Sequence, residues 1–167
     1  MKRPRPFVPA IKPHLPGLPW PDRRYLPGER PRPAPPPPEP GSGTPADWRL
    51  DRAYLRGVDL FNRAYWWEAH EAWEERWRQA ENPRRLYLQG LIQVAAGLLK
   101  WHLDNGRGHR LLWGKGRAKL SAVALDAPRF MGLDLPAFLH RLDDFERLAP
   151  RPGAPVCGSA AVVLLLE

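Results

Sequence analysis

Cysteine is almost missing from this chain: Cys157 is the one residue of its kind among 167. That excludes an intramolecular disulfide framework and any zinc cluster built on thiolates. Long apolar runs are missing too, since the longest, Ala160 to Leu166, is far too short to span a bilayer. Met1 to Pro6 is basic but leads into prolines and not into an apolar stretch, so no secretory signal is read; a soluble, cytoplasmic protein with no membrane partner is the expectation. Period-two alternation is absent from residues 46–149, which argues against a substantial sheet. No internal repeat of fixed period is found, which argues against a solenoid.

What is abundant is proline, tryptophan and positive charge. Sixteen of the 22 prolines precede Ala46, so residues 1–45 read as an extended, Pro-rich arm and linker in which polyproline II replaces helix or strand. Gly41-Ser42-Gly43 supplies a joint. Phe7, Val8, Ile11, Leu15, Leu18, Trp20, Tyr25 and Leu26 give the arm an apolar contact every few residues, and Phe7 to Leu26 are expected to lie against the body. The alternative is a peptide ligand for a partner's aromatic groove. Residues 46–149 form the folding unit, roughly a hundred residues and enough for a modest core. Residues 150–167 are an apolar tail, either frayed or added as a strand in a homo-oligomer.

Helical periodicity divides the body into about five helices, an all-α compact array. The first is expected near Thr44 to Asp47, with Thr44 as cap and Pro45 in the first turn. Asn62 to Tyr65 turns into a second, Trp66 to Ala80, and Asn82-Pro83 is read as the cap of a third, Pro83 to Leu103. The third is the most apolar and hence the most buried, and stops at Asp104-Asn105-Gly106. A fourth runs from about Arg107 to Asp126, with Leu111, Leu112, Ala118, Leu120, Val123 and Leu125 apolar, and a fifth from Leu135 to Leu148.

Chemistry concentrates in the second helix, where four of the eight tryptophans stand among a histidine and several glutamates. At 100° per residue Trp66, His70, Trp73 and Trp77 share one face, with Glu68, Glu71 and Glu75 nearly opposite and Glu74 beside the tryptophans. His70-Glu71-Ala72-Trp73-Glu74 starts like a zinc-protease helix but has Glu where the second His is needed. Gln89 and Gln93 lie in the apolar wall of the third helix and need partners, for which His70, Glu71 and Glu74 are the nearest choice. The candidate pocket is therefore Glu68, His70, Glu71, Glu74, Gln89 and Gln93, with His70 expected as a structural partner of Glu74 or of a glutamine. A cofactor is not required; a divalent metal is the class these donors admit, through His70, Glu71 and Glu74.

The net charge of +8 is mostly on the arm, where eight Lys/Arg stand against three acids in residues 1–46. Within the body the basic patch is Arg107, Arg110, Lys115, Arg117 and Lys119. Gly114-Lys115-Gly116 lacks the spacing of a phosphate loop.

Phe61-Asn62-Arg63-Ala64 with Glu68-Ala69-His70-Glu71 and Glu74, followed by Leu88-Gln89-Gly90-Leu91-Ile92-Gln93-Val94-Ala95-Ala96, resembles domain-of-unknown-function family 309, small all-helical proteins of bacteria and plastids. The resemblance covers roughly Ala46 to Leu125. It implies a compact helical array and no assigned activity. Ala64 stands where the family usually has Gly, and Asp104 and His109 replace the Gly and Ala that bracket its Asn-x-x-Gly turn.

Three functions fit. The leading one is a binding or interaction scaffold with a protein partner or a second copy. The alternative is a metal-assisted hydrolase with His70 as ligand or acid and Glu71 or Glu74 as base, although no complete ligand or nucleophile set is present. The third is nucleic-acid binding through the arm and the basic patch.

Overall fold

The computed structural model describes residues 11–29, 31–34, 46–149, 151–152, 156 and 160–167. Phe7, Val8, the cap at Thr44-Pro45, the proline run 35–38, the Gly41-Ser42-Gly43 joint and Cys157 lie outside them.

Among the described residues five α-helices carry the fold: α1 (Arg52–Phe61), α2 (Trp66–Gln79), α3 (Arg84–His102), α4 (Gly106–Asp126) and α5 (Leu135–Leu148). A single 3-10 turn, Trp48–Leu50, precedes α1, and a two-stranded antiparallel hairpin, β1 (Arg129–Phe130) and β2 (Leu133–Asp134), separates α4 from α5. The all-helical class read from periodicity holds.

The first helix starts later than Thr44 to Asp47 would place it. Asp47 caps the 3-10 turn by accepting from the Arg49 amide, and Asp51 caps α1 by accepting from the Tyr54 amide at 3.0 Å. Two Asp residues four apart split one expected helix into a turn and a helix, because each offers a side-chain acceptor to the unpaired donors of the turn that follows it. Asn82 is not the cap of α3 either; Pro83 holds that position without a side-chain bond. Asn105 caps α4 through the Gly108 amide at 2.8 Å, and Asp134 caps α5 through the Ala137 amide.

α3 is the central element, with Tyr87, Leu88, Leu91, Val94, Ala95, Leu98 and Leu99 buried. It meets α4 at close range. A Cβ on Gly116 would stand 2.9 Å from the Gly90 carbonyl, and one on Gly90 would stand 2.7 Å from Leu120, so both glycines are demanded by the crossing. The buried face of α4 is consequently Trp113, Gly116, Leu120 and Val123. Leu111 and Leu125, two of the apolar residues of this helix, are 58% and 86% exposed. The large Trp113, packed 5.1 Å from Phe145 of α5, fixes the rotation of the helix and turns those two leucines outward.

Residues 160–166 of the tail are not frayed. Ala160 to Leu164 are buried in the chain's own core, and Leu166 bridges to Leu133 beside the hairpin. Asn62, 1% exposed in the α1–α2 turn, clamps the tail with both ends of its amide: Nδ2 donates to the Leu164 carbonyl at 2.8 Å and Oδ1 accepts from the Leu164 amide at 2.7 Å.

The arm crosses α1 and α2. Asp59 accepts from the His14 and Leu15 amides at 2.8 and 2.9 Å and lies 3.0 Å from the His14 ring. Arg63 donates to the Ile11 carbonyl and Arg56 to that of Pro19, while both guanidiniums lie over the Trp20 ring. Further along, the Tyr65 hydroxyl donates to the Pro21 carbonyl and Tyr25 packs on Trp67 at 4.5 Å.

Two consequences follow for stability. Asn62→Ala leaves a buried amide and carbonyl of the tail unpaired, each at about 1 to 3 kcal/mol; a loss of about 3 kcal/mol in urea unfolding is expected, and a loss below 1 would show that the tail does not depend on the clamp. Ala64 and Asp104 both sit at positive φ, 62° and 56°, where an L side chain is strained by about 1 to 2 kcal/mol. Ala64 is buried and its methyl returns about 0.8 kcal/mol, whereas Asp104 is exposed. Asp104→Gly is therefore expected to stabilise by about 0.5 to 1 kcal/mol and Ala64→Gly to be near neutral, and a larger gain at Ala64 than at Asp104 in the same melts would contradict this account.

Candidate functional site

α2 is covered on two sides, which explains its unusual composition. Towards α1 and α3 it buries Trp66, Ala69, Trp73 and Arg76. The rotation differs from the face expected from the tryptophans alone: Arg76 replaces Trp77 at the centre, because its Nε reaches Asp51 Oδ1 at 3.0 Å, an ion pair with partners 6% and 1% exposed. A carboxylate that already caps α1 thus also meets a buried guanidinium, so neither charge is left uncompensated. Towards the arm, α2 presents Trp67, Glu68, His70, Glu71 and Glu74, none of them fully exposed.

His70, Glu71 and Glu74 converge. His70 Nδ1 lies 3.1 Å from Glu71 Oε1 and 3.9 Å from Glu74 Oε2. One donor atom from each residue falls within 4.8 Å of the other two. Two arginines flank the group: Arg32 of the arm donates to Glu71 Oε1 at 2.8 Å, and Arg78 donates to Glu74 Oε1 at 2.9 Å. The Glu71 side chain is only 7% exposed under this cover.

The glutamines of α3 do not join them. Gln93 accepts from Lys119 of α4 at 3.1 Å, on the other side of α3, and Gln89 is half-buried with no contact to the His70 group among the described hydrogen bonds. The helical spacing that put both in an apolar wall does not say which neighbour that wall faces. In the basic patch, Arg107, Arg110 and Lys115 are exposed, whereas Arg117 makes a two-pronged bond to Asp143 of α5 and Lys119 is held by Gln93.

Glu68 belongs to a second group that the sequence did not reveal. Its Oε1 accepts from the Tyr25 amide at 2.7 Å, while its Oε2 is buried with no hydrogen-bond partner among the described residues. Burial pushes this carboxyl above its ordinary value, with the Tyr25 amide, its own amide and the Arg24 charge working against the shift. Arg24 in turn lies over Trp66 and donates to His102 Nε2 at 2.8 Å. A guanidinium only donates, so His102 must accept at Nε2 and carry its proton on Nδ1. Burial first, and the Arg24 charge second, lower the His102 imidazole to about 4. Asp59 behaves differently: burial raises it, but the His14 ring and the two arm amides outweigh burial and hold the carboxyl below its usual range. The available signal was an Asp inside the apolar run Val58-Asp59-Leu60-Phe61, since a buried carboxylate requires donors from elsewhere.

The His102 shift fixes a pH dependence. The unfolded imidazole takes its proton near 6.5 and the folded one near 4, so between these values the unfolded state binds more protons and stability falls as pH falls. Glu68, shifted upward, acts in the opposite sense below its folded value by taking a proton more readily when folded. His102→Gln keeps an acceptor for Arg24 and removes the imidazole; its melting temperature is expected to fall less than wild type between pH 6.5 and 4, and parallel profiles would refute the assignment.

No curated protein and no solved structure matches the chain. A family model does match, over residues 54–112. That span runs from the start of α1 through α2 and α3 into α4, and it contains the whole His70 group and both α3 glutamines. Over residues 54–112 the helical core matches the model of DUF309, a domain of unknown function.

Proposed function

We propose that the protein is a helical interaction module whose α1–α2 face holds an extended, Pro- and Arg-rich segment, with its own arm as resident occupant. The observation that carries the reading is the row of carboxylates Asp59, Glu68 and Glu71, which bond in chain order to His14 and Leu15, to Tyr25, and to Arg32. Two of the three take backbone amides. An extended chain rich in proline has few amides to offer, and Pro13, Pro16, Pro19 and Pro21 offer none. The carboxylates therefore recognise chain direction and register, and the side chains Trp20, Tyr25, Arg24 and Arg32 add selectivity. Such a division, in which main-chain bonds give affinity and pockets give specificity, is the general physics of peptide recognition.

Neither alternative gathers comparable support. A hydrolase needs a general base besides the residues that would hold a metal, and among the described residues no further His, Cys, Asp or Glu joins His70, Glu71 and Glu74, while Gln93 is engaged by Lys119. For nucleic acid, two of the five patch cations are engaged inside the fold, and Arg24 and Arg32 of the basic arm are turned onto the body.

The test uses the full-length chain with its arm loosened by Trp20→Ala and Tyr25→Ala, and a labelled synthetic peptide of residues 11–34. Saturable binding to the loosened chain, much weaker binding to wild type, and a further loss of at least about tenfold on adding Asp59→Asn or Glu68→Gln are expected, since bonds to charged groups contribute about 1.5 to 3 kcal/mol. Absence of any peptide binding by the loosened chain would dismiss the reading.

A further inference from the structure

The group at the arm's far end has a property that peptide recognition does not require. One donor atom from each of His70, Glu71 and Glu74 lies within 4.8 Å of the other two, and His70 Nδ1 faces Glu71 Oε1 and Glu74 Oε2. Four donors around a tetrahedral zinc ion with bonds near 2.1 Å stand about 3.4 Å apart; the two separations from His70, 3.1 and 3.9 Å, bracket that value. The remaining separation, between the two carboxylates, lies within 4.8 Å.

Two further observations point to a cation at this point. Glu74 is held from behind: Arg78 occupies Oε1 and leaves Oε2 turned towards His70, the arrangement by which an outer partner orients a ligating carboxylate. Glu71, almost fully covered, already receives a positive group, the Arg32 guanidinium, on the same Oε1 that faces the imidazole. The position is thus one where the fold stabilises positive charge, and its present occupant comes from the arm.

We propose that His70, Glu71 and Glu74 form a divalent-cation site, and that the metal and the Arg32 guanidinium compete for Glu71 Oε1, so that metal loading releases the arm at Arg32. The mixed imidazole and carboxylate set suits Zn2+, Mn2+ or Fe2+ better than Mg2+, which favours oxygen and retains its water. On loading, His70 carries its proton on Nε2 and presents the Nδ1 lone pair. The three protein donors leave one tetrahedral position for water. Competition at one oxygen makes the coupling reciprocal: whatever the ion takes from Arg32 affinity, Arg32 takes from ion affinity. The proposal rests on the observed seat of Arg32 and not on the peptide-binding function, so either can fail alone.

Calorimetric titration of the full-length chain with Zn2+, and with Mg2+ as the hard-ion control, tests it. One saturable Zn2+ site is expected, with Mg2+ much weaker. Arg32→Ala, at an exposed arm position, should tighten Zn2+ about fivefold, the size expected when a partly exposed ion pair no longer competes. Glu71→Gln and Glu74→Gln should each weaken it at least tenfold, with circular dichroism checking that both variants fold. His140→Ala, which removes the exposed imidazole paired with Asp144 on α5, should change nothing. Absence of saturable Zn2+ binding, binding that survives both glutamine variants, binding lost with His140, or an affinity unchanged in Arg32→Ala would each overturn the proposal.

Discussion

A carboxylate buried as deeply as that of Asp59, 1% exposed, is tolerable only with donors around it. α1 cannot supply them, because its own amides in that region are committed to the helix. They come from His14 and Leu15, some 45 residues earlier in the chain. The body therefore depends on the arm to satisfy one of its most deeply buried polar groups, and the arm depends on that group for its register. Once Asp59 fixes residues 14 and 15, Trp20 falls over Arg56 and Arg63, Tyr25 reaches Glu68 and Trp67, and Arg32 reaches Glu71.

The same arrangement changes the meaning of the net charge. A chain at +8 with its excess on a proline-rich arm reads as a polyanion binder if the arm is free. Here Arg24 lies over Trp66 and against His102, and Arg32 lies over Trp67 and against Glu71. Much of what is positive on the described arm is opposed by aromatic faces and acids of α2. Charge counted along the sequence and charge presented to solvent are different quantities, and the acids at 59, 68 and 71 account for part of the difference.

The five helices were legible because an apolar stripe of helical period runs through each, with turns at Asn62 to Tyr65 and Asp104-Asn105-Gly106 between them, whereas the cap at Asp51 was not read and the first helix was therefore placed too early. α5 begins and ends where its periodicity places it. What was not legible depends on partners distant in sequence. The rotation of α4 is set by a glycine contact with α3 and by Trp113 against Phe145, neither visible in its own pattern. The tail looked unattached because its clamp, Asn62, is 102 residues away and looks like an ordinary turn residue. In the site, helical spacing brought His70 and Glu74, four apart, within reach of one another, whereas Glu71, nearly opposite on the helical wheel, joins them through a contact that the wheel does not give. The same reasoning joined Gln89 and Gln93 to them without knowing which helix faced which.

The strained turns acquire a purpose in this geometry. α2 and α3 run antiparallel, so the first turn of α2 lies beside the last turn of α3, and Trp66 meets His102 at 5.9 Å. Ala64 introduces the first and Asp104 leaves the second, and both take the left-handed conformation that reverses the chain within a few residues. A looser turn at either place would move Trp66 or His102 from under Arg24. That guanidinium, its proton affinity lowered by burial, sits against an imidazole that burial keeps neutral and beside a carboxyl pushed upward. Three groups shifted in their separate directions share one leading physical cause, removal from water. The backbone strain at residues 64 and 104 therefore belongs to the same construction as the arm's docking: it sets the end of the bundle on which the arm closes.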